Sequence, residues 1–418
     1  MATKKASTTA LTNPLAMPLG RKELNELVEV ALASPMDGYP GHDDCLWGLP
    51  LIIEGLPGNA KTARIKQMSK VLHISARSLF AAQHPPEDFS GALIPDGKGG
   101  ARQICPLSQV RELIKVGRGI IFLDEVNGAT PATQGAIQSF IHERVAGDQP
   151  IPGGIRMLAA SNPEDIATGG FRFSPPLANR FMHVTDPGPT AREWSAFQMG
   201  NTLEGLQATL AEIEEVVISD WPSIFPETLG LFTAFMEANP SLLHKMPAPS
   251  DPQSSKSWPS PRTWDYAMRA WTTASILHKG DSIREALVYS CVGEGAGSMF
   301  MTYAAETDIP KPMDVLTGKW KVNPHRLDIV LAAYNSATAY VRQKPSRDAQ
   351  LEVAPLLWKS LGQLFDAQLS DVVVPCVEGL IQAQLGVHSG NSDVVAAARP
   401  VLVRLSKSGV QNFLKELA

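Results

Sequence analysis

The residues best suited to chemistry lie in Gly55-Leu-Pro-Gly-Asn-Ala-Lys-Thr62, which follows the short apolar run Leu51-Ile-Ile-Glu54. Glycines at 55 and 58, with Pro57 between them, allow a backbone turn tight enough to aim successive N–H groups at phosphate oxygens. A helix opening at Lys61 would add the positive end of its dipole. In such a loop Lys61 reaches the outer phosphates and the Thr62 hydroxyl coordinates Mg²⁺, with Gly55, Pro57, Gly58, Asn59 and Ala60 shaping the cradle. Ala60 stands where the usual pattern has a last glycine. Taken alone, the stretch also fits a plain glycine-rich turn between strand and helix.

A second site-forming segment is Gly119-Ile-Ile-Phe-Leu-Asp-Glu125. A continuous apolar run of this length reads as a parallel strand buried on both faces. Its two carboxylates then fall at the carboxyl edge of the sheet, where ligands bind in open α/β folds. Asp124 there can hold Mg²⁺ through water, and Glu125 can orient the water that attacks a γ-phosphate; a solvated acidic turn is the plainer alternative. Asn162 ends another apolar run, Ile155 to Ala160. It either bonds the attacking water or γ-phosphate, or is a turn residue before Pro163. Arg262 follows Ser260-Pro261 at the start of a helical segment. A cation at a helix N-terminus opposes the dipole, which an anionic partner would explain, as would simple exposure.

These residues need a scaffold of strands alternating with helices. Apolar periodicity predicts a helix over Arg21–Leu32, the loop-bearing strand at Leu51–Glu54, a helix over Ala63–Lys70, and a strand at Ser78–Ala82. A hairpin spans 92–105 around Asp96-Gly-Lys-Gly-Gly100, with a glycine-rich, solvent-facing and mobile tip. Helices follow over Leu107–Val116 and Ala132–Glu143, and a short helix leads from Leu177 into a fifth strand ending near Val184. Five strands alternating with helices imply a doubly wound parallel sheet. From Ala191 helical periods take over. The proline-rich 240–261 stretch is expected to be a loop, partly mobile, and Pro261–Trp271 a helix with Pro in its first turn. Further helices are expected at Asp328–Arg342, Leu351–Leu369 and Val394–Leu417.

The chain has 418 residues, enough for two or three domains, with 44% hydrophobic and 19% charged residues and a net charge of −5. That charge argues against an extended nucleic-acid surface, which calls for a basic excess. Cys45, Cys105, Cys291 and Cys376 are widely spaced, with no metal-binding pattern, and fit reduced, packed thiols. The N-terminal stretch lacks the apolar run of a signal peptide. No apolar segment approaches the roughly 20 residues that span a bilayer. A soluble, cytoplasmic protein is expected.

Together these motifs resemble the MoxR-like family of AAA+ ATPases over roughly residues 20 to 290. Gly55 to Thr62 is similar to that family's phosphate loop, which often carries alanine before the lysine. Leu123-Asp-Glu-Val-Asn127 and the following Pro131 to Gln138 resemble its Walker B strand and next helix. Asp88-Phe-Ser-Gly91 with the hairpin resembles the insertion in helix 2 that marks the wider clade. Ala160-Ser-Asn-Pro163 resembles sensor 1, Asn179-Arg180-Phe181 the arginine finger, and Ser260-Pro-Arg262 sensor 2. Two positions depart from the pattern: Asn179, where an acidic residue is usual, and Gly128, where a basic one is.

The resemblance implies an α/β AAA+ core with a five-stranded parallel sheet at 21–190, after a mobile tail at 1–20. An α-helical lid with sensor 2 would span 191–300, and a helical extension 301–418. It implies Mg-dependent ATP hydrolysis in a homo-oligomer, a hexamer, with Glu125, Asn162, Arg180 and Arg262 catalytic. Lys61, Mg²⁺ and Arg262 would neutralise the triphosphate in cis, and Arg180 would reach a neighbour's γ-phosphate. It also implies remodelling of a protein client with a von Willebrand A-domain partner. Two other classes share the core: a nucleotide-gated scaffold with little hydrolysis, and a nucleic-acid motor.

Overall fold

The computed structural model describes residues 20–407 apart from 99, 165, 167–169, 201–202, 204 and 207. The expected N-terminal tail, up to residue 19, lies outside the described residues, as does the end of the last expected helix beyond 407. Five strands build the central sheet: β1 (Leu51–Glu54), β2 (Ala76–Phe80), β5 (Arg118–Asp124), β6 (Gly154–Ser161) and β7 (Met182–Thr185). Their order is β7-β1-β6-β5-β2 and every pairing is parallel. Strands β3 (Ala92–Pro95) and β4 (Ala101–Ile104) form the expected antiparallel hairpin. Strand β2 begins two residues earlier than its apolar residues suggest. Its register is set by β5, which pairs Ala76 with Ile120 and Phe80 with Asp124, and residues 81–83 turn away as a short 3₁₀ segment.

Strict alternation along the strands divides the core in two. Leu51, Ile53, Ile120, Phe122, Leu158 and Ala160 face one side, packing on α1 (Arg21–Ala33) and α2 (Lys61–Val71). The same cluster takes in α8 (Leu210–Ala238), α9 (Pro261–Ile276) and α10 (Asp281–Glu306), whose helix breaks at Gly293. Ile52, Ile121, Leu123, Met157 and Ala159 face the other side, against α4 (Ser108–Val116) and α5 (Pro131–Glu143). A parallel strand so enclosed must be apolar at every position, as β5 is. The helices expected to form a lid thus share one hydrophobic core with the sheet.

One buried cation staples that core. Arg156 on β6 is fully buried; it donates to the carbonyls of Leu32 (3.2 Å) and Gly154 (2.5 Å) and pairs with Glu214 of α8. Arg118 reaches the other carboxylate oxygen of Glu214 at 2.6 Å. Gly48, at φ +87°, leaves room for the Arg156 side chain, whose Cγ would lie 2.3 Å from any Cβ there.

The proline-rich 240–261 stretch is exposed over most of 243–253 and packs against the body of the protein over 254–260. Ser254, Ser255 and Trp258 are buried; Ser255 Oγ donates to the Phe173 carbonyl (2.9 Å) and Ser257 Oγ to the Ser290 carbonyl (2.7 Å). Beyond it, α11 (Pro312–Leu316), α12 (Leu327–Arg342), α13 (Arg347–Asp366), α14 (Ser370–Gln382) and α15 (Ser392–Lys407) enclose a separate core around Trp358, Tyr334 and Leu361. Helix α12 also lies along α8, close enough that a Cβ on Gly230 would stand 3.0 Å from Ser336 Cβ.

Candidate functional site

The carboxyl ends of β1, β5 and β6 converge on one edge, and the parallel register sets their tips level, pairing Ser161 with Glu54 and Ala159 with Leu123. The Gly55 to Ala60 turn leaves β1 here and α2 begins at Lys61. Leu56, Pro57 and Gly58 are exposed; Gly58 takes φ +86° with open space about its Cα. Ala60 adopts a left-handed conformation (φ 59°, ψ 33°) as the residue before the helix. The backbone there is the kind that favours glycine, so the departure at Ala60 alters the side chain and leaves the turn intact. Asn59 offers its carbonyl to Arg21 Nη2 (2.6 Å), tying the first helix to the loop.

Lys61 is buried inside this turn. Its Nζ donates to the carbonyls of Gly55 (2.7 Å) and Leu56 (3.2 Å) and to Asn162 Oδ1 (3.0 Å). Burial pushes the ammonium below the usual lysine range, against the pull of Asp124, Asp186, Glu125 and Glu54. Thr62 Oγ1 donates to Asp124 Oδ2 at 2.5 Å. This hydroxyl and carboxylate are hard oxygen donors beside a phosphate cradle, a set that fits Mg²⁺ completed by phosphate and water oxygens. Glu125 is exposed and takes φ 54°, ψ 44°, with its N–H on Asp124 Oδ1 (3.0 Å). That left-handed turn lifts its carboxylate off the strand direction and into solvent.

Asn127, given no role above, proves central to this edge. Its Nδ2 donates to the Asn162 carbonyl (2.7 Å) and its Oδ1 accepts the Asn162 N–H (3.2 Å). The signal was present in the sequence: a polar residue two places beyond the carboxylate pair, in a segment that is otherwise buried. Glu54 is paired with Lys256 from the packed proline-rich stretch, which ties the helical region to the end of β1.

Arg180 and Arg262 come together elsewhere. Arg180 leaves the short helix α6 (Pro175–Ala178) and donates to the Pro176 carbonyl (2.6 Å). Burial, then the nearby Arg262 guanidinium, lowers its affinity for its proton, with the Tyr266 hydroxyl opposing. Burial and the same two arginines also hold His142 below its usual range. The link is Asn179, which is buried: Nδ2 donates to the Trp258 carbonyl (3.3 Å) and Oδ1 accepts from Ser260 Oγ (2.9 Å). Ser260 in turn caps α9, leaving Arg262 in its first turn. Arg262, in the first turn of α9, therefore acts electrostatically on Arg180. Among the described residues neither arginine has an ion-pair partner.

Residues 50–181 match the family described as AAA domain, dynein-related subfamily. No curated protein matches the chain. A crystal structure from Cytophaga hutchinsonii, described as a "putative ATPase", is similar at 16% identity and a TM-score of 0.41; the match covers 69% of this chain and 89% of that one.

Proposed function

We propose, from the match of residues 50–181 to an AAA domain, that this chain is an AAA+ ATPase and works as the subunit of a Mg-dependent, ATP-driven ring. The observation that carries the reading is the split between two sets of residues. At the sheet edge Lys61 bonds Asn162 and, on the next residue of the helix, Thr62 bonds Asp124. Arg262 lies near enough to disfavour the charge on Arg180, and among the described residues neither has an ion-pair partner. The first set suits ATP bound to the same subunit. The second suits the phosphates of a neighbour's nucleotide.

Phosphoryl transfer depends chiefly on positioning and charge stabilisation. Lys61, already held by loop carbonyls, would exchange them for β- and γ-phosphate oxygens. Thr62 and Asp124 would hold Mg²⁺, which supplies charge neutralisation on the phosphates. Glu125, turned toward solvent, would orient and polarise the attacking water, and Asn162 would bond that water or the γ-phosphate. Arg180 and Arg262 would act in trans, so an isolated subunit would hydrolyse slowly. Arginine fingers contribute about 10³–10⁵ in kcat in GTPases.

The motif resemblance extends the reading to a hexamer that remodels a protein client with a von Willebrand A-domain partner. The exposed β3–β4 hairpin is the element we assign to client contact. Among the described residues no helix is long and apolar enough to cross a membrane, and all four cysteines are buried and unpaired; both fit a cytoplasmic setting.

The test is subunit mixing. Lys61→Ala and Arg180→Ala should each abolish steady-state ATPase, and mixed rings should recover part of it, because some interfaces then pair an intact loop with an intact arginine. Glu125→Gln should bind ATP without hydrolysing it. Full activity of Arg180→Ala as a monomer would overturn the reading.

A further inference from the structure

A cavity of about 140 Å³ opens beside the phosphate loop, between the start of α1, the first two turns of α2, and α7 (Ala191–Gln198). Ala60 and Ala63, at the end of the loop and the start of α2, line it together with Trp194 and Phe197 of α7. Both aromatic side chains are about half exposed, at 58% and 48%. The cavity thus continues from the phosphate end into a space with aromatic walls.

Arg64 lines this cavity and is 3% exposed. Its Nε, Nη1 and Nη2 are all buried, and none has a hydrogen-bond partner. A buried cation with all of its donors unused is costly unless something satisfies them. Asp186 and Glu193 attract the guanidinium through space, while Arg21 repels it. Among the described residues no carboxylate forms an ion pair or hydrogen bond with it. Helical spacing explains its aim: three residues beyond Lys61, it lies on nearly the same face of α2, one turn further from the phosphates.

Resting on the nucleotide reading above, we propose that Arg64 is the residue that recognises the nucleoside half of the bound nucleotide. Its planar fork donates to acceptor atoms of the base or ribose, and Trp194 and Phe197 cover the ring. A guanidinium has donors only, so its match is a ring nitrogen, a carbonyl or a ribose oxygen. Lys61 reads the phosphates and Arg64 the nucleoside, from adjacent turns of one helix.

The experiment measures equilibrium binding of ADP and of inorganic tripolyphosphate to the full chain, for wild type, Arg64→Met and Arg64→Gln. Loss of a charge-assisted hydrogen bond predicts about 10- to 100-fold weaker ADP binding in Arg64→Met. Arg64→Gln, which keeps one donor group, should fall between. Tripolyphosphate binding should stay within twofold of wild type in both. Unchanged ADP binding in Arg64→Met, or equal losses for ADP and tripolyphosphate, would overturn the assignment while leaving the nucleotide reading in place. If wild type bound neither ligand, the nucleotide reading would fall, and this inference with it. Should Arg64→Met fail to fold, Arg64→Gln carries the same comparison.

Discussion

Asn127 and Asn162 grip each other through a reciprocal pair of hydrogen bonds, side-chain amide to backbone, at 2.7 and 3.2 Å. The pair joins the turn after β5 to the tip of β6, and Asn162 passes the constraint on to Lys61 through its own side chain. Asn127 touches none of the reacting groups in this arrangement; it positions one that does. Asn127→Ala should therefore lower kcat by about 10-fold or more, with ADP affinity little changed, as expected where a mutation misplaces a catalytic group. Steady-state kinetics beside equilibrium ADP binding checks the split. Equal losses in both would point to a structural role alone.

Asn179 uses both ends of its amide, one on Trp258 and one on Ser260. Aspartate keeps the acceptor and loses the donor, and it buries a charge. Asn179→Asp should destabilise the fold by about 1–3 kcal/mol. It should also reduce ATPase more than Asn179→Ser does, since the amide sets the spacing between Arg180 and α9. Denaturant unfolding and turnover measured on both variants decide this.

His183 lies buried on β7, its Nε2 2.9 Å from the Ala178 carbonyl. Burial, with Lys256 nearby, pushes its pKa down to about 4, although the carbonyl bond opposes this. The unfolded chain takes up this proton near pH 6.5 and the folded chain only near 4, so between these values the unfolded state holds more protons. Stability is complete above pH 6.5 and falls as the pH drops toward 4, by about 3 kcal/mol from this group. Urea midpoints at pH 7.5 and 5 should differ in wild type and converge in His183→Gln, whose amide can still donate to Ala178.

The Arg156–Glu214 pair offers a stability test remote from the nucleotide. Glu214→Ala strands a fully buried guanidinium and should cost about 3–5 kcal/mol. Arg156→Met, which removes the cation itself, should cost less. If the two cost the same, the pair acts through packing and its charge is incidental.

At the hairpin tip, Asp96 Oδ1 accepts the N–H groups of Lys98 (2.8 Å) and Gly100 (2.9 Å), and these bonds hold its carboxyl below the usual range. Leu93, in the first strand of the hairpin, is 71% exposed. Deleting residues 97–100 should leave basal ATPase unchanged and abolish activation of a client. Intact activation would remove the hairpin from the mechanism.

Local chemistry marked the phosphate loop, the Asp124–Glu125 strand end and the Ser260-Pro261 helix start in the sequence. Each depends on neighbours a few residues away: glycines that permit the turn, an apolar run that forces burial, a proline in a first turn. The alternation of strands and helices likewise implied the parallel sheet, because a fully enclosed strand shows as an unbroken apolar run. The tertiary structure decided what distance in the chain concealed. Arg262 lies with Arg180 because buried Asn179 finds its partners in Trp258 and Ser260, some eighty residues on. Nothing in the local sequence marks Arg64, whose burial depends on distant segments: α1 and α7 line the same cavity. The 240–261 stretch reads as open by composition, yet its serines find buried carbonyls from Phe173 and Ser290. Such pairings follow from which surfaces meet, and a one-dimensional pattern of polarity does not encode that.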